Sequence, residues 1–203
     1  MKYKTEQEKF WANQFGIDYI KRNNSEFILN SKINMWKKIL DATNNVKSAI
    51  ELGCNIGLNL VAIKQLCPEI KLTGYEINEE AVRNAEKFNV GKINQTSILE
   101  KINVDKADLC FTACVLIHIN PKYLRNVYEN LVNSSNKYVL VAEYYNPVPI
   151  KIKYRGYENR LFKRDFAGDL IENYNLKLID YGFIYKRDNI APQDDITWFL
   201  LKK

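Results

Sequence analysis

At 203 residues and 23.8 kDa the chain is too short for two average domains and too long to depend on disulfide staples. Hydrophobic residues at 46%, aromatics at 12% and charged residues at 27% exclude collagen-like, coiled-coil and extensively disordered classes. A net charge of +6 and a pI near 9.0 invite anionic partners such as RNA, phosphate, acidic sugars or a membrane surface; the richness in Lys, Asn and Ile also reads as the bias of a low-GC genome.

Met1–Phe15 (MKYKTEQEKFWANQF) carries charges every few residues and no apolar run, which predicts neither a signal peptide nor an anchor. No stretch approaches the roughly 18 apolar residues of a spanning helix, so the expected compartment is the cytoplasm. Residues 1–45 are expected to hold one or two amphipathic helices, including Ser31–Leu40, that cap a sheet or lie over its active edge. Val46–Leu52 reads as a strand, Gly57–Cys67 as a helix and Ile70–Glu76 as a second strand. Asn78 then opens a helix with Glu79 and Glu80 in its first turn. A weaker strand is expected near Ile93–Ser97 and a buried one at Ala107–Thr112. An amphipathic helix over Lys122–Val132 precedes the most apolar strand, Tyr138–Glu143. Arg164–Tyr174 reads as a helix, and Lys177–Lys186 and Asp195–Leu201 as strands joined by a short polar turn.

Strands alternating with helices predict a single α/β domain over 1–203: a Rossmann-like, doubly wound, mostly parallel sheet. An antiparallel edge hairpin closes it at the C-terminus, and 1–45 form a helical N-terminal extension. Cys54, Cys67, Cys110 and Cys114 sit in apolar runs and His118 is the only histidine, so reduced thiols and no metal site are expected.

Glu51–Gly57 (ELGCNIG) leaves a buried strand and enters a helix N-terminus, with Gly53 and Gly57 able to take positive φ or admit a ligand to the backbone. Glu76, at the end of the second strand, is placed to accept both hydroxyls of a ribose. A diphosphate cofactor favours G-x-G-x-x-G, but here Asn55 takes the middle position and Glu51 adds a negative charge. That charge suits a ligand with a cationic amino acid end, which points to S-adenosylmethionine. The plain alternative is two exposed strand-end acids and glycines that merely end strands.

The order of ELGCNIG, GYEIN at Gly74–Asn78 and DLCFT at Asp108–Thr112 resembles class I methyltransferases. More narrowly, FWANQFGIDYIKRN at Phe10–Asn23, VLIHINP at Val115–Pro121, YRG at Tyr154–Gly156, LFKRDFAG at Leu161–Gly168 and PQDDITWFLL at Pro192–Leu201 resemble the methylases associated with pseudaminic acid biosynthesis. The resemblance spans almost the whole chain. It implies S-adenosylmethionine as cofactor, S-adenosylhomocysteine as product, and an acceptor among bacterial surface nonulosonic sugars. On it, Tyr19, Arg22 and Asn23 form a lid over the methionine end. Glu51, Gly53, Cys54, Asn55, Gly57, Glu76, Ile77, Ser97, Ile98, Thr112, Ala113 and Cys114 line the cofactor. Asn55 departs from the usual glycine, and Ser97 stands where many relatives carry an acid for the adenine amine.

Ligands of open α/β sheets lie beyond the carboxyl ends of the strands. There His118 follows the fourth strand and Glu143 ends the fifth, the two candidate general bases; a histidine packed under the cofactor and a strand-end acid paired to an arginine are the plain alternatives. Residues 146–164 are expected to form an irregular acceptor loop rich in Lys and Arg, with Tyr144, Tyr145, Tyr154, Arg155, Arg164 and Asp165 as acceptor residues. Together these predict an adenosylmethionine-dependent methyltransferase acting on a hydroxyl of a small acidic sugar or sugar nucleotide. An RNA methyltransferase and a non-catalytic adenosyl-binding module are the alternatives.

Overall fold

The computed structural model describes residues 3–23 and 26–203; Met1 and Lys2 of the opening segment lie outside the described residues. Three helices, α1 (Glu6–Ala12), α2 (Gln14–Arg22) and α3 (Glu26–Asp41), precede β1 (Ser48–Leu52), where the sequence predicts one or two. The chain continues through α4 (Leu58–Leu66), β2 (Lys71–Glu76), α5 (Glu79–Glu86), β3 (Lys92–Gln95) and β4 (Ala107–Ala113). After two short 3-10 turns come α6 (Leu124–Asn133), β5 (Ser135–Glu143), β6 (Ile150–Tyr154), β7 (Tyr157–Lys163), α7 (Phe166–Tyr174), β8 (Lys177–Ile184) and β9 (Ile196–Lys202).

One seven-stranded sheet runs in the order β3-β2-β1-β4-β5-β9-β8. Its first five strands are parallel, β9 is antiparallel to β5, and β8 is antiparallel to β9. Alternation along the strands splits the core between the two faces. Ile50, Leu52, Cys110, Val139 and Val141 pack with Val127, Leu131, Phe166 and Leu170 of α6 and α7. Ala49, Leu109, Phe111 and Leu140 pack with Met35, Trp36 and Ile39 of α3 and with Leu60 and Ile63 of α4. Each such large side chain contributes roughly 1.5–3 kcal/mol by burial. The strand order reverses between β1 and β4, the switch point at which doubly wound sheets open a ligand crevice.

Two connections differ from expectation. Residues 150–163 form a separate antiparallel ribbon of β6 and β7, not an irregular loop. Ile150, Ile152 and Tyr154 alternate with lysines. The two-residue turn that closes the ribbon has positive φ at both Arg155 (48°) and Gly156 (89°), as a tight hairpin requires. The link between β8 and β9 is a loop over 185–195, longer than the short turn expected. Asp188 Oδ1 braces it by accepting from the amides of Ile190 and Ala191 at 2.8 and 2.7 Å. Among the described residues no helix is long and apolar enough to cross a membrane.

Candidate active site

The turn after β1 is built by backbone demands. Gly53 takes φ 80°, and a Cβ there would collide with Val115; its amide and that of Cys54 both donate to Tyr75 O, at 2.8 and 2.9 Å. Asn55 stands in the left-handed region at φ 47°, which asparagine tolerates, and its own Oδ1 accepts from Ile56 N at 2.8 Å. The departure from glycine is thus absorbed locally. Gly57 (φ 81°) starts α4 but does not face the crevice.

Two adjoining cavities open at this turn. The first, about 820 Å³, lies beyond β2 and β4 under α1. Glu76, Ile77, Ser97, Ile98 and His118 line it, together with Gln7, Glu8 and Trp11, which the sequence did not single out. The second, about 970 Å³, lies between β1, α3 and the 185–195 loop. Asn23, Glu51, Cys54, Lys32, Asn59 and Asp194 are in its wall. Tyr19, Gly53, Asn55, Ala113 and Cys114 line both, so the cavities meet over the β1 and β4 ends.

Glu76 is buried, and three amides point at its carboxylate: Ile77 N and Asn78 N on Oε1 at 2.8 Å each, and Asn55 N on Oε2 at 2.7 Å. Burial raises its pKa and these amides oppose the rise. A carboxylate has about four acceptor positions. One therefore remains on Oε2, enough for one ribose hydroxyl and not for the pair expected. Trp11 Nε1, buried without a partner, is a second unused group on this wall.

Ser97 Oγ donates to Glu8 Oε1 and accepts from Leu99 N at 3.0 Å. A carboxylate from α1 thus stands beside Ser97 in the cavity wall, and the capping box of that helix also uses Glu8. A carboxylate three residues after Thr5 was legible as a cap, but not as a wall of the cavity.

Glu51 is 1% exposed. Its Oε1 accepts from Asn59 Nδ2 at 2.6 Å, while Oε2 has no partner. Asn59 Oδ1 in turn accepts from Lys32 Nζ at 3.0 Å and Trp36 Nε1 at 3.2 Å. Burial pushes Glu51 up to about 8, against the pull of Asn59 and Lys32. An orphaned, buried carboxylate oxygen facing a cavity is the complement of a cationic group.

Glu143 is 2% exposed and works as an anchor. Oε1 accepts from Thr112 Oγ1, Val115 N and Leu116 N at 3.0–3.1 Å, and Oε2 from Ile117 N at 3.3 Å. Burial pushes it up to about 7 against these bonds. Neither Glu143 nor Thr112 lines a cavity, and the partner is a turn rather than an arginine. That turn carries His118, whose ring sits between Trp11 (4.6 Å) and Tyr154 (4.9 Å). His118 Nδ1 lies 2.6 Å from Arg160 O, which makes Nδ1 the protonated nitrogen, and burial lowers the pKa to about 4.

The N-terminal helices meet the ribbon through aromatic side chains. Phe10, Trp11 and Phe15 contact Tyr154 and Tyr157 of the β6–β7 ribbon. Gln7 Nε2 donates to Asn159 O at 2.9 Å, and Arg160 pairs with Glu6 at 3.3 Å. On α2, Tyr19 and Asn23 face inward, whereas Arg22 lies exposed over the Phe15 ring at 5.6 Å, away from the cavities.

Of the expected acceptor residues, Tyr154 packs against His118 and Trp11 of the first cavity's wall, Arg155 stacks over Tyr154 at 5.9 Å and Lys163 over Tyr144 at 5.2 Å, although Tyr144, Tyr154 and Arg155 line neither cavity themselves. The other three are engaged elsewhere. Tyr145 is exposed against Phe199, Arg164 pairs with Asp169 at 3.4 Å, and Asp165 caps α7 by accepting from Gly168 N at 2.8 Å. Among the described residues no cluster of three His, Cys, Asp or Glu side chains is placed to hold a metal, and the four cysteines are unbridged.

Neither a family model nor a curated protein sequence matches the chain. Solved structures do. A S-adenosylmethionine-dependent methyltransferase from Clostridium acetobutylicum is 13% identical, with 93% of this chain and 97% of that chain covered at TM-score 0.66. Magnesium protoporphyrin IX methyltransferase from Synechocystis with bound SAH is 11% identical, with 97% and 98% covered at TM-score 0.68. The N-methyltransferase NodS from Bradyrhizobium japonicum in complex with SAH is 16% identical, with 97% and 96% covered at TM-score 0.66. At these identities the likeness concerns architecture: the chain has the Rossmann-like fold of class I S-adenosylmethionine-dependent methyltransferases.

Proposed function

We propose that the protein is an S-adenosylmethionine-dependent methyltransferase of a small polar acceptor, with a hydroxyl of an anionic carbohydrate as the acceptor class. The buried, unpartnered Oε2 of Glu51 carries the cofactor half of this reading. It would hold the ammonium of the methionine end and Lys32 the carboxylate, while Glu76 takes a ribose hydroxyl and Glu8 with Ser97 faces the adenine edge. When bound, the cofactor supplies a methyl on a sulfonium, and the protein's task is alignment and water exclusion. Residues 1–45 then serve as the lid and 46–203 as the cofactor domain. The cytoplasmic setting expected from the sequence goes with this reading.

The acceptor half rests on Arg155 and Lys163, the two cations stacked on Tyr154 and Tyr144, and on the motif resemblance. Lys153 and Arg160 of the ribbon pair with Glu158 and Glu6, and Arg164 just after it pairs with Asp169, leaving Lys151 without an ion pair among the described residues. That pairing disfavours a continuous cationic track for RNA. The test is mass spectrometry of acidic nonulosonic sugars and their nucleotide-activated forms, incubated with protein and deuteromethyl cofactor. A methyl-sized deuterated mass gain is expected. Cofactor binding without transfer to any of these sugars would remove the carbohydrate class.

A further inference from the structure

The second cavity carries a carboxylate that the mechanism so far leaves idle. Asp194 lines the second cavity, and among the described residues no hydrogen bond or ion pair engages its side chain, although its neighbours are all committed. Asp195 pairs with Lys186 at 3.2 Å and accepts from Lys186 N at 2.9 Å, and Gln193 Nε2 donates to Ser31 O at 3.3 Å. The loop is therefore tied down on both sides of a free acid. The charge of Asp194 acts on Tyr19, Tyr144, Tyr154 and Cys114, favouring their protonated forms. Glu51 instead responds to Lys32 and Glu76. Asp194 shares its cavity with Glu51 and Lys32 and also with Tyr19, Ala113 and Cys114, which line both cavities, so it stands beside the junction where the two meet. Arg155 also acts on Tyr19 and Tyr154, and Lys163 lies over Tyr144, so two cations bear on the same phenols as the acid.

The two bases expected from the sequence are poorly placed by comparison. His118 lines only the first cavity, with Nδ1 tied to Arg160 O, and the Glu143 oxygens are taken by the turn they anchor.

We propose that Asp194 is the catalytic carboxylate that receives the acceptor's hydroxyl at the point of methyl transfer, with Arg155 and Lys163 holding the acceptor's negative charge. The inference rests on the methyltransferase reading and deepens it. As the acceptor oxygen bonds to the methyl carbon, the carbon–sulfur bond breaks with its electron pair left on sulfur. The hydroxyl proton passes to an Asp194 oxygen and then to water.

Its test needs no acceptor. Sinefungin carries a protonated amine where adenosylmethionine carries its methyl, and is otherwise matched to adenosylhomocysteine at the nucleoside and amino acid ends. Calorimetric titration of both into the wild type and Asp194→Asn isolates what faces that position. Sinefungin is expected to bind the wild type about tenfold more tightly than adenosylhomocysteine, a preference that a charge-assisted hydrogen bond supplies. Asp194→Asn should erase it, with adenosylhomocysteine affinity unchanged. Equal affinities in the wild type, or a preference that survives Asp194→Asn, overturn the role of Asp194. Failure of both compounds to bind overturns the cofactor reading itself.

Discussion

Asn59 Nδ2 donates to Glu51 Oε1 at 2.6 Å and leaves Oε2 of the same carboxylate buried without a partner. The amide fixes the acid's orientation and keeps half of it in reserve. Because burial holds Glu51 near 8, well above the unfolded carboxylate value, the folded protein without ligand keeps a proton there that the unfolded chain has lost. That stability contribution is complete below the unfolded pKa and disappears as pH rises through about 8. Glu51→Gln keeps the site neutral. It is expected to raise ligand-free stability at pH 8 by an amount on the order of 1–3 kcal/mol in chemical denaturation. The same variant should weaken adenosylhomocysteine binding by about tenfold or more. A destabilised variant with unchanged affinity would contradict both effects.

Glu76 serves the fold as well as the ligand. Glu76→Ala strands the amides of Asn55, Ile77 and Asn78, so a loss of roughly 2–4 kcal/mol is expected alongside weaker binding. Glu76→Gln should recover part of the stability, since one amide oxygen still accepts. Thermal denaturation separates them, and equal stability of the two would show that the turn does not depend on this carboxylate.

His118 is held as a neutral ring between Trp11 and Tyr154. His118→Ala is expected to lower the melting temperature and to loosen adenosylhomocysteine binding several-fold by opening the lid, as loss of a buried ring does. Intact affinity combined with abolished turnover would instead return His118 to the role of general base.

Trp11 lies in the cavity wall, whereas Trp36 and Trp198 are buried in the core. Ligand binding should therefore change intrinsic fluorescence, and Trp11→Phe should remove that change. A signal that persists in Trp11→Phe would place the nucleoside away from α1.

Arg155→Ala is expected to raise the KM for an acidic acceptor about tenfold with little effect on cofactor affinity, as loss of one charged contact does. Arg164→Ala, which breaks the pair with Asp169, should leave that KM unchanged. The reverse pattern would move the anion site to the start of α7.

The parallel sheet was legible because strands buried on both faces read as apolar runs. Asn78 is legible as a cap before an apolar helix, whereas Asp165, expected as an acceptor residue, caps α7 in the fold. The β6–β7 ribbon was obscured by its charge: the Ile-Lys alternation and the Arg155–Gly156 turn were present, but five basic side chains drew attention to a loop. The turn holding Glu51 and Asn55 was visible in ELGCNIG, whereas the left-handed φ of Asn55 and the burial of Glu51 are seen only in the fold. Lys32, Glu8 and Asp194 could not be placed beside that turn from the sequence, because α1, α3 and the 185–195 loop meet the strand ends only in three dimensions. Local pattern fixes which strand end is a site and carries no information on which distant segment folds over it.

Calorimetric titration of adenosylhomocysteine into the folded protein at neutral pH, repeated in buffers of different ionisation enthalpy, tests the cofactor site most directly. One-to-one binding is expected, with release of a proton from Glu51 that vanishes in Glu51→Gln. Folded protein that gives no binding heat, or binding whose proton release is the same in Glu51→Gln, would contradict the site described here.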